Sequence, residues 1–198
     1  MIGTPPREWS FAAGGYVLAG GRSSRMGRDK SRLPWGQSTL IEMVAAEVAA
    51  VTGSVATVGG EPIPGIRYVA DPLSGYGPVA GIAAALRDSS EPWTLAVACD
   101  MPGITGAFLQ RLLREAQGSE GAIPVTSDGR THPLCAVWST AAARETFDRA
   151  LEAGEHTLRH VVRGLRCVFP AVDDPGLLRN VNTPEEYAEA LAQGQAGE

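Results

Sequence analysis

The sequence predicts an α/β fold in which a mostly parallel sheet carries helices on both faces. Two observations predict it: short apolar runs recur along the chain, and segments with a helical apolar period separate most of them. A parallel pair of strands needs a crossover connection, and a helix of this length supplies one. The chain has 198 residues, 44% of them apolar and 20% charged, which is sufficient for one buried core.

The predicted strands are short and apolar, as expected for strands that are covered on both faces. They are Tyr16–Ala19, Val55–Val58, Ile66–Val69, Thr94–Ala98, Ala122–Val125, Leu134–Trp138 and Cys167–Phe169. The predicted helices have apolar residues at intervals of three and four positions. They are Leu40–Val51, Val79–Leu86, Phe108–Ala116, Ala141–Leu151, Thr157–Val162 and Pro184–Leu191. Strand and helix are expected to alternate throughout the chain.

The two ends of the chain lack the pattern of a packed element. Residues 1–14 contain prolines and glycines without an apolar period, and the last residues are rich in glycine and alanine. We therefore expect a flexible extension over residues 1–14, one single domain over residues 15–192, and a flexible tail over residues 193–198.

Composition argues against several classes of protein. The net charge is −5 and the basic residues are scattered outside one cluster, so a nucleic-acid-binding face is not expected. The first residues lack the apolar core of a signal peptide, and no apolar run reaches the roughly 18 residues of a membrane span. Three separated cysteines without a C-x-x-C pair favour a reduced protein, so a cytoplasmic location is expected.

The loop after the first strand has the most unusual composition in the chain. It reads GGRSSRMGRDK and combines three glycines and two serines with four basic residues. Gly20 and Gly21 let backbone N–H groups approach an anion, Ser23 adds a hydroxyl donor, and Arg25 and Lys30 add positive charge. The spacing differs from that of a P-loop, in which a Gly-Lys-Ser/Thr triplet is required. The loop is therefore predicted to bind a triphosphate.

Asp100 ends the apolar run TLAVAC, which would place its carboxylate at the same edge of the sheet as the first loop. Magnesium takes oxygen ligands, and one carboxylate can be sufficient when phosphates and waters supply the others. A magnesium ion at Asp100 is therefore expected. The other interpretation is a structural aspartate in the turn before Pro102.

Later polar residues leave alternatives open. His132 precedes a strand-like run. It either lines the site of a second ligand, which would accept a group from the triphosphate, or has a role in its loop. His156 and His160 are four residues apart in a helical stretch, but no third ligand is near them, so we expect them to face solvent. Thr183 is predicted to cap the last helix.

The motif LAGGRSSRMGRDK resembles the signature loop of the molybdenum cofactor guanylyltransferases. The resemblance continues through spaced motifs along nearly all of the chain. They are DPLSGYGPVAGI at Asp71–Ile82, CDMP at Cys99–Pro102, HPL at His132–Leu134, AGE at Ala153–Glu155 and NVNTP at Asn180–Pro184. The first motif is shared with the wider superfamily of sugar and cofactor nucleotidyltransferases, whereas the full set is more specific. The resemblance implies a three-layer α/β/α, Rossmann-like nucleotidyltransferase fold.

The resemblance also implies a reaction, in which GMP passes from GTP to molybdenum-loaded molybdopterin with Mg²⁺ as cofactor and pyrophosphate is released. The catalytic residues that it implies are Arg25, Lys30 and Asp100, of which Asp100 holds the metal. The nucleotide-binding residues are Leu18, Ala19, Gly20, Gly21, Ser23, Arg25, Lys30, Asp71 and Asp100. The acceptor-binding residues are Gly77, Gly81, His132, Asn180 and Asn182. Transient contact with molybdenum-insertion proteins or target molybdoenzymes is a further expectation.

The choice of base has alternatives. The sequence L-A-G-G favours guanine by resemblance, because related cytidylyl enzymes usually have L-A-A-G. The family often has an asparagine after the second strand, where this chain has Gly59 and Gly60. A cytidylyl- or sugar-phosphate nucleotidyltransferase is therefore one alternative. A non-catalytic nucleotide-binding regulator is another, disfavoured because both Lys30 and Asp100 are present.

Overall fold

The computed structural model describes residues 12–20, 32–73 and 76–194, which form a sheet with helices on both faces. The strands are β1 (Ala13–Leu18), β2 (Pro34–Trp35), β3 (Ser38–Thr39), β4 (Val55–Val58), β5 (Arg67–Val69), β6 (Trp93–Ala98), β7 (Gly121–Ala122), β8 (Val125–Thr126), β9 (Cys135–Ser139), β10 (Cys167–Val168) and β11 (Ala171–Val172). The helices are α1 (Leu40–Thr52), α2 (Gly77–Asp88), α3 (Gly106–Glu115), α4 (Thr140–Glu152), α5 (Leu158–Val162) and α6 (Pro184–Gly194), with a 3₁₀ helix at Pro175–Leu178.

The central sheet has seven strands in the order β10-β7-β9-β6-β1-β4-β5. All neighbouring strands in it are parallel except β9, which runs antiparallel to both β6 and β7. The prediction of a mostly parallel sheet between helical layers is therefore confirmed. The expected alternation of strand and helix fails between the parallel neighbours β4 and β5, which are joined without a helix. It also fails between β7 and β9, because an antiparallel return needs only a turn rather than a crossover helix.

Two apolar cores lie on opposite faces of the sheet. Helices α1 and α3 cover one face, where Ile41, Val44 and Leu109 are fully buried. Helices α2, α4 and α5 cover the other face, where the rings of Trp138 and Phe147 meet edge to face with centroids 5.5 Å apart. Each predicted helix is present with its ends within three residues of the predicted ones. In the described ranges, no helix is long and apolar enough to cross a membrane.

The first strand begins earlier than its sequence suggests. Ala13 and Gly14 pair with Trp93 and Thr94 of β6, so the extension expected over residues 1–14 ends before Ala13. A glycine-rich strand start is disfavoured by propensity, but close packing explains it here. A Cβ atom on Gly15 would lie 2.3 Å from Oγ1 of Thr52, at the end of α1. Glycine therefore lets α1 pack directly against the backbone of β1.

A short hairpin of β2 and β3, which the sequence did not predict, leads the chain into α1. The Glu42 carboxylate accepts hydrogen bonds from the backbone N–H and the hydroxyl of Thr39, at 2.8 and 2.7 Å. Helix α6 covers this hairpin, because the Tyr187 hydroxyl donates to the carbonyl of Pro34 and its ring lies 6.4 Å from that of Trp35. The hairpin and the last helix thus form one unit beside the main sheet.

Candidate active site

The carboxyl ends of β1, β4, β5 and β6 lie at one edge of the sheet. After β1 the chain adds β4 and then β5 on one side of β1 in the sheet. It then reverses direction across the sheet and adds β6 on the opposite side of β1. Ligands of open α/β sheets bind at such a point of reversal. The loops there are in contact: the Ala19 N–H donates to the Val58 carbonyl at 2.9 Å, and the Cys99 N–H donates to the Leu18 carbonyl at 3.1 Å.

Asp100 lies two residues beyond the end of β6 and is half-buried. The side-chain amide of Asn180 donates to Oδ1 of Asp100 at 2.9 Å, and the N–H of Val181 donates to the Asp100 carbonyl at 2.8 Å. These bonds orient the carboxylate and join two motifs that are 80 residues apart in the chain. The sequence predicted both residues for the site but not their contact.

The residues after Asn180 form a helix cap. The Glu186 carboxylate accepts hydrogen bonds from the N–H groups of Asn182 and Thr183 at 2.6 and 3.1 Å. In return the Thr183 hydroxyl accepts from the N–H of Glu186 at 3.2 Å. This reciprocal pair is a capping box, so the predicted role of Thr183 as a cap is confirmed. It fixes the start of α6 and with it the segment that reaches Asp100.

A cavity of about 900 Å³ lies beside the Asp100–Asn180 contact. Its apolar lining comes from Pro78, Met101, Pro133, Leu134, Leu158, Pro175 and Leu178. Its polar lining comes from Thr126, Ser127, Asp128, Arg130, Thr131, His132, Arg179, Asn180, Asn182 and Glu186, and Gly176 completes the wall. The structure thus brings three predicted acceptor residues together, namely His132, Asn180 and Asn182.

His132 belongs to a hydrogen-bonded cluster on the cavity wall. Its Nε2 lies 3.2 Å from the Thr126 hydroxyl, which lies 2.5 Å from Oδ1 of Asp128. An ionised carboxylate only accepts, so the single hydroxyl proton of Thr126 goes to Asp128 and His132 must donate through Nε2–H. Its Nδ1, which has no hydrogen-bond partner within the described ranges, then carries the lone pair.

The charges of this cluster are set by its surroundings. Burial, and secondarily the positive charge of Arg130, lower the pKa of His132, and the opposing effect of Asp128 is smaller. Hydrogen bonds from the Thr126 hydroxyl and then from the Arg130 N–H lower the pKa of Asp128. Near neutral pH the cluster therefore holds a neutral imidazole and an ionised carboxylate.

Gly59, Gly60 and Asp71 lie near Ala19 and Gly20, at the end of β1. The Asp71 carboxylate accepts from the N–H of Leu73 at 3.1 Å, which closes a turn after β5. Strand β5 is three positions from β6 in the sheet, which is about 14 Å at the usual strand spacing. Asp71 and Asp100 thus follow strands that are not neighbours, and their separate roles stay predictions.

Gly59 and Gly60 lie where the resemblance led us to expect an asparagine, and the structure gives a reason for the glycines. Both have positive φ angles, of 66° and 64°. A Cβ on Gly59 would lie 3.4 Å from Cβ of Asp71, whereas one on Gly60 would lie 2.8 Å from the carbonyl oxygen of Ala19. Only glycine fits at the second position without moving the loop after β1.

The remaining predicted residues are placed less directly. Gly77 starts α2 with a φ of 60° and has open space where a Cβ would lie. Gly81 faces the sheet, since a Cβ there would lie 3.7 Å from Cδ2 of Leu18. The Leu18 side chain is buried, and Gly20 is exposed at the sheet edge. The predictions for Gly21, Ser23, Arg25 and Lys30 fall outside the described residues.

The two histidines at spacing four have different partners. The ring of His156 lies against that of Tyr76, with centroids 4.1 Å apart, and Nδ1 of His160 lies 2.9 Å from the Glu155 carboxylate. Both side chains are exposed. Since His156 precedes α5 and His160 lies within it, the two rings are not presented on one helical face.

Comparison with solved structures shows the class of fold. Its fold resembles that of molybdopterin-guanine dinucleotide biosynthesis protein A from Archaeoglobus fulgidus, with a TM-score of 0.78 and 24% identity, over 91% of this chain and 98% of that one. It also resembles 2-C-methyl-D-erythritol 4-phosphate cytidylyltransferase from Thermus thermophilus, with a TM-score of 0.70 and 20% identity, over 91% and 98% of the two chains. The fold is therefore the nucleotidyltransferase fold, as predicted.

Sequence comparison gives the family within that class. The model of the MobA-like NTP transferase domain matches residues 15–169. A probable molybdenum cofactor guanylyltransferase from Mycobacterium marinum is 32% identical over 91% of this chain and 94% of its own length. Another from Pelotomaculum thermopropionicum is 32% identical over 92% and 94%. The chain belongs to the MobA-like NTP transferase family, which confirms the resemblance that its motifs indicated.

Proposed function

We propose that this protein transfers GMP from GTP to molybdenum-loaded molybdopterin, with Mg²⁺, and releases pyrophosphate. The observation that carries the proposal is the position of Asp100 between two different regions of one sheet edge. On one side lie Ala19 and Gly20 at the end of β1, Gly59–Gly60 and Asp71; on the other lies the cavity lined by His132 and the asparagines. The names of the curated relatives support the choice of guanine and of the acceptor.

The cavity has the character of a pocket for a flat, polar ring system. Its volume of about 900 Å³ is within the usual range for small-molecule sites. Apolar side chains such as Leu134, Leu158 and Leu178 can cover the faces of a ring, while the polar side chains around them bind its edge. Molybdopterin carries a pterin ring and a phosphate, so it offers both the ring faces and the polar edge that this lining can bind.

The proposed reaction is attack by a phosphate oxygen of the acceptor on the α-phosphorus of GTP. A phosphate monoester is largely ionised near neutral pH, so the protein need not remove a proton from the nucleophile. Its main tasks are to align the two substrates and to neutralise their charge. We assign the charge neutralisation at the pyrophosphate to Arg25, Lys30 and the backbone of the first loop.

Asp100 is the residue that we assign to the magnesium ion. The carboxylate is half-buried, oriented by Asn180, and located at the reversal point of the sheet, which suits a hard cation that takes its other ligands from phosphates and water. The ion would neutralise charge on the transferring phosphates. Asn180 supports this assignment because it fixes one carboxylate oxygen by a hydrogen bond.

Product analysis tests the proposal. The purified protein is incubated with Mg²⁺, molybdenum-loaded molybdopterin, and GTP or CTP in parallel, and the products are identified by mass spectrometry. The guanine dinucleotide is expected. Formation of the cytosine dinucleotide would agree with the proposed mechanism but contradict the choice of guanine. CTP is included because the fold is shared with a cytidylyltransferase. No product from either nucleotide would contradict the proposal and direct attention to sugar phosphates or to a binding-only role.

The substitution Asp100→Asn tests the metal assignment. It retains the size of the side chain but removes the charge, and it should lower kcat by roughly 10³-fold while GTP binding changes little. Asp173→Asn is the matched control, since Asp173 is exposed and does not line the cavity. Unchanged turnover in Asp100→Asn would exclude a metal-binding role for this residue.

A further inference from the structure

We propose that Arg130, which the sequence motifs did not single out, is a specificity-determining residue that binds the acceptor. The inference rests on the proposed function and adds to it the chemistry that the cavity recognises. Arg130 lies in the turn Thr126–His132, between β8 and β9, and this turn forms one wall of the cavity.

The turn holds the backbone of Arg130 in place. The N–H of Thr126 donates to the carbonyl of Arg130 at 3.0 Å, and the N–H of Gly129 donates to the carbonyl of Thr126 at 2.8 Å. The Asp128 carboxylate accepts from the N–H of Arg130 at 3.1 Å. A tightly bonded turn of this kind presents a side chain with little loss of backbone entropy on binding.

Arg130 differs from the other charged residues of the cavity in its partners. The Arg179 guanidinium donates to Glu189, and the Glu186 carboxylate accepts from two backbone N–H groups. The Asp128 carboxylate accepts two bonds within the turn. The Arg130 guanidinium makes no hydrogen bond or ion pair within the described ranges. It is thus the cation of this cavity that remains to bind an incoming anion or carbonyl group.

The position of the turn assigns Arg130 to the acceptor rather than to the triphosphate. Strand β9, into which the turn leads, is one position from β6, or about 5 Å, and two positions from β1, or about 10 Å. The first loop follows β1, and Asp100 follows β6. Since β9 lies on the side of β6 away from β1, Arg130 lies on the far side of Asp100 from the end of β1, and we assign it to the acceptor.

His132 and Arg130 together define the chemical class of the group that they recognise. Arg130 supplies N–H donors and positive charge, while neutral His132 supplies an acceptor at Nδ1. A heterocycle with a carbonyl oxygen next to N–H groups, as in the lactam edge of a pterin, satisfies both side chains. A plain sugar phosphate offers hydroxyl groups instead and lacks this pairing.

The test measures the equilibrium binding of molybdopterin to the wild type and to Arg130→Gln. Binding is monitored by fluorescence in the absence of nucleotide. Loss of a hydrogen bond to a charged donor should weaken binding by about ten-fold or more. Arg130→Lys, which retains charge without the planar fork, should recover part of the affinity. Arg149→Gln is the control, because Arg149 lies on the surface of α4 beside Glu145 and should bind as the wild type.

Turnover separates this inference from the proposed function. Arg130→Gln should have a KM for GTP within about two-fold of the wild-type value and a kcat within about three-fold of it. Its KM for molybdopterin should be about ten-fold higher than that of the wild type. Equal acceptor affinity of wild type and Arg130→Gln, with normal turnover, would overturn the inference and retain the proposed function. A wild type that fails to bind molybdopterin would overturn both.

Discussion

Gly60 is the residue at which the loop after β4 meets the loop after β1. We expect Gly60→Ala to lower the free energy of unfolding and to raise the KM for the nucleotide. The positive φ alone should cost about 1–2 kcal/mol, and the 2.8 Å approach of the new Cβ to the Ala19 carbonyl should add to it by displacing the first loop. Urea unfolding and initial rates measure the two effects.

Gly36→Ala is the matched control for that substitution. Gly36 has nearly the same φ, 58°, but open space where the Cβ would lie. It should therefore show the conformational cost without the effect on nucleotide KM. Equal effects of the two substitutions on both measurements would show that the contact with Ala19 has no influence on the site.

His132 should make the stability of the protein depend on pH. Burial and Arg130 lower its pKa in the folded state below the ordinary value of 6.5. Between those two pKa values the unfolded chain binds more protons, so the free energy of unfolding falls as the pH drops through this window. In His132→Asn this contribution is absent, and the stability advantage of the wild type should shrink from pH 8 to pH 5. A difference that stays constant with pH, in urea unfolding, would contradict the lowered pKa.

At the residue scale, the sequence predicted the polar residues better than their contacts. Asp100 could be predicted from its place at the end of an apolar run, and Asn180 from its place in an extended motif. Their hydrogen bond depends on how two distant segments pack, which local pattern does not encode. Arg130 was not predicted, because in the polar sequence SDGRT it is typical of a solvated turn. Its significance comes from the cavity beneath it.

At the scale of elements, helix α2 is fixed at its carboxyl end by Arg144 of α4. The guanidinium donates to the carbonyls of Leu86 at 2.6 Å, Ser89 at 3.0 Å and Arg87 at 3.3 Å, which lie where helix carbonyls lack intrahelical partners. Arg144→Met should therefore lower the free energy of unfolding by about 1–3 kcal/mol, because buried carbonyls lose their donors.

Arg149→Met, on the same helix, is the control for Arg144→Met. Its exposed ion pair with Glu145 should contribute less than about 0.5 kcal/mol. Chemical denaturation of both variants compares them. If both variants lost the same free energy of unfolding, Arg144 would contribute no more than an exposed surface residue. Helix α2 would then be held in place by its apolar packing alone.

The elements that sequence patterns predicted are those with a clear period. The helices were predicted because each has one apolar face, and β4 because it is a continuous buried run. The strand predicted at Ala122–Val125 is in fact two short strands, β7 and β8, which pair with different partners on either side of Ile123 and Pro124. Strands of two residues are too short to show a period, so their pairing is set by the surrounding fold.

For the whole molecule, the start of the domain can be tested by truncation. Ala13 is almost fully buried and pairs with β6, so a chain that lacks residues 1–14 should lose about 1–2 kcal/mol, which corresponds to a Tm lower by several degrees. A chain that lacks residues 1–11 retains all of β1 and should melt within about 2 °C of the full chain. Equal melting of the two truncated chains would contradict a contribution of Ala13 to the folded core.

The reversal of the sheet between β1 and β6 also has a kinetic consequence. The regions that we assign to the two substrates lie side by side on one edge of the sheet. Both substrates can then be bound at once and react directly. Initial rates measured at several fixed concentrations of one substrate should give intersecting double-reciprocal lines, the pattern of a ternary complex, rather than the parallel lines of a covalent enzyme intermediate.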